Sequence, residues 1–173
     1  MAVKMENLPL EVAHLDNFKN FIPGFSQLCT NTVHQLTLLG GLQVSTLFEH
    51  ALAHAGGHTL VSLDKGDLEK NGLFSDAKLV TVRTAHHKQK YSAPVSGIYN
   101  KVGILRVQVY ERKQGKFYYF AIPNSAYKHI PKTSNIEISF ELDGTPKRTP
   151  SRKVNVNWWD YEVADFCAMA TAT

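Results

Sequence analysis

Asp76 and Lys78 stand two residues apart at the head of an alternating apolar run, Phe74-Ser75-Asp76-Ala77-Lys78-Leu79-Val80-Thr81-Val82-Arg83. Side chains at i and i+2 leave an extended strand on the same face, so this spacing brings a carboxylate and an ammonium together. The carboxylate can hold a divalent cation, while the ammonium can bind a phosphate, orient a water or neutralise a developing anion beside it. An acid-x-Lys pair at a strand entrance can equally be an exposed ion pair, so its meaning depends on what other acids arrive there. Of the acids that precede it, Glu49, Asp64 and Asp67 are the candidates.

The elements that must position these residues follow from hydrophobic spacing. Apolar residues at helical intervals predict helices over 10–21, 25–39 and 42–55, the last with a stripe of Val44, Leu47, Phe48, Ala51, Leu52 and Ala55 and a stop at Gly56-Gly57. Glu49 lies one residue past Phe48, about 100° round the axis, at the border of that stripe where it can look sideways into a cleft. Thr59 to Leu63 reads as a short strand delivering Asp64, and 65–72 as a polar turn. The strand carrying Asp76 then runs to about Thr84. Further strands are expected from Tyr91 (irregular, because of Pro94 and Gly97), over 104–110 as a half-buried strand, over 117–122 as a central strand covered on both faces, and over 136–142. One helical turn is expected within 124–130, and a last helix from Trp158-Trp159 through Met169. The expected fold is α+β: N-terminal helices, a mixed, largely antiparallel central sheet and a C-terminal helix.

The order helix glutamate, strand-end aspartate, then Asp-x-Lys on the next strand resembles the PD-(D/E)XK nuclease superfamily over Leu42 to Arg83, in the Asp-x-Lys form used by some restriction enzymes. That resemblance implies a restriction-endonuclease-like core and a Mg²⁺-dependent endonuclease, of restriction or homing type, that hydrolyses phosphodiester bonds in double-stranded DNA. It implies metal binding by Asp76, Asp64 and Glu49, with Mn²⁺ able to replace Mg²⁺, and activation of the attacking water by Lys78. Two assignments stay open. Asp64 lies eleven residues before Asp76 and Asp67 eight, and Leu63 and Gly66, not proline, precede them. Alternatively Asp76 is the first aspartate, and Glu111-Arg112-Lys113 supplies the acid-x-Lys element at a strand exit.

The chain of 173 residues, 43% of them hydrophobic, suits one domain: a helical part over 1–57, a sheet core over 58–142, a basic loop over 143–157 and a C-terminal helix over 158–173. A net charge of +4 permits contact with phosphates. Arg83, Lys88, Lys90, Lys101, Arg106, Lys147, Arg148 and Arg152 are the expected substrate-binding cations, with Lys153 beside them in a mobile loop. Gln89, Asn100 and Gln108 are of types that read base edges. A non-catalytic nucleic-acid-binding protein built on the same cations is the alternative, and a zinc site at His50, His54 and His58 a third reading. The histidine pair His86-His87 reads as DNA-facing or exposed. Tyr118, Tyr119, Trp158 and Trp159 are expected in the core or a dimer seam. Cys29 and Cys167, widely spaced, read as buried free thiols of a reducing, cytoplasmic compartment; no stretch reads as a signal peptide or membrane span. Cutting both strands with one small domain would be simplest for a homodimer.

Overall fold

The computed structural model describes residues 9–61, 66–85, 89–97, 102–131, 135–152 and 154–173. Three helices come first, α1 (Leu10–Phe18), α2 (Thr30–Leu39) and α3 (Val44–Gly56). A 3₁₀ turn at Lys19–Phe21 extends α1, and α3 ends where Gly57 takes a left-handed φ of 67°, as the Gly-Gly pair predicts. The second helix is shorter than its apolar spacing suggests, because 22–29 is consumed by turns after Pro23-Gly24.

The strands are β1 (Thr59–Leu60), β2 (Leu68–Lys70), β3 (Leu73–Thr81), β4 (Arg83–Thr84), β5 (Tyr91–Val95), β6 (Ile104–Glu111), β7 (Lys116–Pro123), β8 (Ile136–Phe140) and β9 (Glu162–Val163). They form two sheets. The larger has the order β1-β2-β3-β6-β7-β9 and is antiparallel throughout except for the parallel pair β3–β6; the smaller, β4-β5-β8, is antiparallel. The fold is therefore α+β with a mixed main sheet, and the second sheet is a feature the sequence pattern did not separate from the first. The chain crosses between sheets at Val82, directly after β3.

Helices cover one face of the main sheet and the small sheet covers the other. The helical core gathers Leu15, Phe18, Leu47, Phe48, Ala51 and Leu52 with Phe166 and Met169. The core between the sheets gathers Val107, Val109, Phe120, Ile122, Ile138, Phe140 and both tryptophans. Trp159 stands edge-on to Tyr118, Phe120 and Phe140 and donates its indole N–H to Ser139 O at 3.0 Å, so the tryptophans are core.

Strand β6, between β3 and β7 and covered on both sides, is the central one: all eight of its residues are buried. Its alternation of apolar and polar residues is real, but the polar face meets helices instead of water. Gln108 is held against His14 at 3.0 Å, and His14 in turn against Thr81 Oγ1 at 3.2 Å. Burial pushes the His14 imidazole down to about 4, so it sits there neutral. Gln108 is thus withdrawn from any role in reading bases. The expected central strand, β7, is less covered, with Phe117, Tyr118 and Tyr119 only half-buried.

The end of the chain also departs from its pattern. Instead of one helix from Trp158, a 3₁₀ turn at Trp158–Tyr161 leads into β9 and then α5 (Phe166–Thr171), with α4 (Asn124–Tyr127) the expected single turn earlier in the chain. The break is enforced by Asp165, whose side chain accepts from Ala168 N at 2.8 Å and starts the helix afresh. The first part of the basic loop is bonded to the end of β8: Lys147 N donates to Ser139 O at 3.0 Å, Glu141 N to Thr145 O at 2.8 Å, and Pro146 bridges Phe140. Cys29 and Cys167 are both exposed, against the expectation of burial. Among the described residues no helix is long and apolar enough to cross a membrane.

Candidate active site

The hairpin that builds the site is written in Asn71-Gly72. Both residues have positive φ, 53° and 81°, the demand of a two-residue type I′ turn, and Lys70 pairs with Leu73 across it. The register then runs Glu69 to Phe74 and Leu68 to Ser75. One step further along that register, Asp67 faces Asp76. The approach is close: Gly66 has φ +119°, and a Cβ there would lie 2.8 Å from Ser75 O. No side chain fits, so the residue before Asp67 has to be glycine.

At this point β2 has ended, and among the described residues the edge of β3 beyond Ser75 has no strand partner on that side. The Asp67 carboxylate takes over, accepting from Ala77 N at 2.7 Å, while Asp67 N donates to Ser75 O at 2.9 Å. Asp76 is 3% exposed. Lys78, on the same face of β3, brings Nζ to 2.9 Å from Asp76 Oδ2. That contact is close but poorly aligned, and Oδ2 receives no well-directed hydrogen bond. Glu49 comes from α3, which packs on the other face of β3, and its carboxyl is near enough to feel both Asp67 and Lys78.

The electrostatics follow from crowding acids in a place poor in water. Burial, then a hydrogen bond with Asp67, raises Asp76 from 3.8 to about 7 against the pull of Lys78. Burial, then repulsion from Asp67, raises Glu49 to about 7, again opposed by Lys78. Two carboxyls that hold protons near neutrality, beside a lysine and a third acid, are a site in which a bound cation would replace protons. Among the described residues, no three His, Cys, Asp or Glu side chains are drawn tightly enough together to hold an ion by themselves. Mg²⁺ does not require that: it commonly takes one or two carboxylates and completes its shell with water and substrate phosphate.

Of the four acidic and basic residues first expected, Asp76 and Lys78 are in contact; Glu49 approaches from the other face of β3, where Asp67 and Lys78 act on it; Asp67 stands just before β2; and Asp64 lies outside the described residues. The sequence reading placed Asp67 in a polar turn because it overlooked the Asn-Gly hairpin signal that makes β2. The rival acid-x-Lys element does not reach the site. Asp76 pairs with Leu105, whereas Glu111 ends β6 six residues further on, roughly 20 Å away. Glu111 is also occupied, accepting from Tyr91 Oη, Lys113 N and Gln114 N.

Arg106 is likewise removed from the expected DNA-binding set. It is 1% exposed, and its guanidinium donates to Ser75 Oγ at 3.2 Å, to Met169 O and to Ala172 O at 2.9 Å. It ties the last carbonyls of α5 to the strand pair bearing the site, a structural task that uses its planar fork. Arg148 pairs with Glu162 at 2.8 Å and lies over Trp159, and Lys90 pairs with Glu137. Arg83, Lys147 and Arg152 are exposed; Lys88, Lys101, Lys153, Asn100 and His86-His87 lie outside the described residues. The zinc reading fails on geometry: His50 and His54 are exposed on α3, while the His58 ring is turned onto Ala170 O at 2.6 Å.

A cleft of about 250 Å³ adjoins the acidic group, lined by Lys78, Arg83, Pro94 and Ser96 together with the β3 residues between Lys78 and Thr81. No known protein family, curated protein or solved structure matches the chain.

Proposed function

We propose that this chain is a Mg²⁺-dependent endodeoxyribonuclease that hydrolyses phosphodiester bonds of double-stranded DNA, of restriction or homing type. The observation that carries the reading is the buried Asp76 carboxyl, one oxygen without a directed hydrogen bond, with Lys78 2.9 Å away and Asp67 across the hairpin. Hard carboxylate oxygens suit Mg²⁺ or Mn²⁺, and the residues that would hold it are Asp76 and Asp67, with Glu49 directly or through water. A bound ion would supply Lewis-acid polarisation of the scissile phosphate.

The chain's own groups have separable tasks. Asp67 fixes the edge of β3 through Ala77 N and keeps the carboxyls facing one another. Lys78 balances their charge and, once released from Asp76, can orient the attacking water and neutralise charge on the phosphate. Arg106 anchors the strand pair from behind. For a homodimer, the exposed leucines of α2, Leu36, Leu38 and Leu39, offer apolar surface.

The rival, a non-catalytic nucleic-acid-binding protein, would use the same exposed cations without needing buried acids. Asp76→Ala separates them. The nuclease reading expects duplex DNA still to be bound in EDTA and cleavage in Mg²⁺ to be abolished; cleavage unchanged by the substitution would remove it.

A further inference from the structure

The cleft beside the acidic group has a chemistry of its own. Its lining includes Lys78, Arg83 and Ser96 and no acidic residue. Lys78 both lines the cleft and contacts Asp76, whereas Asp67, Asp76 and Glu49 do not line it, so the ammonium is shared between a cation-seeking and an anion-seeking space. Pro94 and Ser96 of the neighbouring segment complete the lining, and Gly97 next to them has φ +65°, a conformation in which any larger residue would be strained. Arg83 is exposed, placed where the chain leaves the main sheet and pairs with Ser92 of β5.

We propose that this cleft is the seat of a backbone phosphate neighbouring the scissile one, held by Arg83 with Ser96, and that it fixes the path of one DNA strand past Asp76. The inference rests on the nuclease reading for the identity of the ligand, while the anion chemistry of the cleft stands on its lining. Lys78 links the two spaces: a phosphate drawn into the cleft competes with Asp76 for its ammonium, freeing the carboxyl as substrate arrives. Arg83 is a positioning residue here, touching the strand away from the reacting atoms.

The test uses the full chain in EDTA, where no cutting occurs, and a fluorescein-labelled mixed-sequence 30-mer duplex followed by anisotropy from low to moderate salt. Arg83→Ala is expected to weaken binding about five- to tenfold and to reduce the salt slope by roughly 0.9, the loss of one phosphate contact. Arg83→Lys should restore the slope because it restores the charge. In Mg²⁺ the Arg83→Ala chain should show a raised KM with kcat nearly kept, as expected for lost binding that is uniform along the reaction. Arg83 is exposed, so an unchanged thermal midpoint confirms that folding is intact. A chain that binds and cuts DNA while Arg83→Ala leaves affinity, slope and KM unchanged overturns the cleft assignment and leaves the nuclease reading standing. A chain that neither binds nor cuts DNA overturns the nuclease reading. In that case inorganic phosphate, titrated while the Ser96 and Gly97 amides are followed by NMR, decides whether the cleft takes free phosphate, which overturns the nucleic-acid assignment, or no anion, which overturns the cleft altogether.

Discussion

Asp76→Asn should make the protein more stable at pH 8 while disabling it. The folded chain keeps the Asp76 proton up to about pH 7, whereas the unfolded chain releases it near 3.8. Between those limits the folded state binds more protons, so the contribution of this residue to stability falls as pH rises, and the full penalty stands above pH 7. A shift of roughly 3 units at about 1.4 kcal/mol each gives a ceiling of about 4 kcal/mol. The pull of Lys78 is already contained in that shift; asparagine carries no charge to desolvate but puts an amide NH₂ where the protonated acid has a hydroxyl, and imperfect hydrogen bonding there takes back ~1–2 kcal/mol of the gain. The expected net effect is a stabilisation of about 1–3 kcal/mol at pH 8, a rise of several degrees in Tm, and almost none near pH 3, below both values, where both states are largely protonated. Urea or thermal unfolding of both chains at the two pH values measures it. Mg²⁺ should likewise stabilise the native chain more at pH 8 than at pH 5, and the Asn variant little at either. Destabilisation at pH 8, or an equal gain at both pH values, would refute the reasoning that Asp76 is a carboxyl crowded and buried for a cation's sake.

Three other substitutions probe separate parts of the account. Arg106→Ala should cost about 3–5 kcal/mol in urea unfolding, because it empties a buried site and strands the Met169 and Ala172 carbonyls; full stability with lost DNA affinity would return Arg106 to substrate contact. Glu49→Gln should raise the Mg²⁺ concentration for half-maximal cleavage about 10- to 100-fold, and should alter a pH profile that, in the native chain, rises through about 7 as Glu49 and Asp76 ionise. Leu38→Glu with Leu39→Glu should convert a dimer to a monomer in sedimentation, given that these residues are 56% and 84% exposed; an unchanged mass would place the dimer seam elsewhere.

The parts of this fold that were legible in the sequence are those with a one-dimensional signature. The stripe of α3, the Gly-Gly stop, the alternation of β3 and β8 and the acid-x-Lys spacing all report local periodicity, and each element forms where that periodicity lies. The division into two sheets is not local: it depends on which strand β5 chooses as a partner, and β5 pairs with β8 more than forty residues later. Burial of β6 was hidden for a related reason. Arg106, Gln108 and Glu111 look like solvent-facing residues until the groups that satisfy them, Ala172 O, His14 and Tyr91, are brought in from distant chain. Asp67 stood open beside Asp64 in the sequence, and Asn71-Gly72 with its short flanking runs is the hairpin signal that favours it, since counting back from the turn sets Asp67 opposite Asp76. The late basic loop misled through composition alone, since charge and proline say nothing of the backbone bonds that pin 145–147 to β8.

The most direct measurement is end mapping after incubation of the purified chain with a long randomised duplex library in Mg²⁺, in EDTA, and as the Asp76→Ala variant in Mg²⁺. The account predicts discrete fragments with defined ends in the first reaction and intact DNA in the other two. Intact DNA in all three, or the same fragments from the Asp76→Ala chain, would contradict the claim that Asp67, Asp76, Lys78 and Glu49 form a phosphodiester-hydrolysing centre.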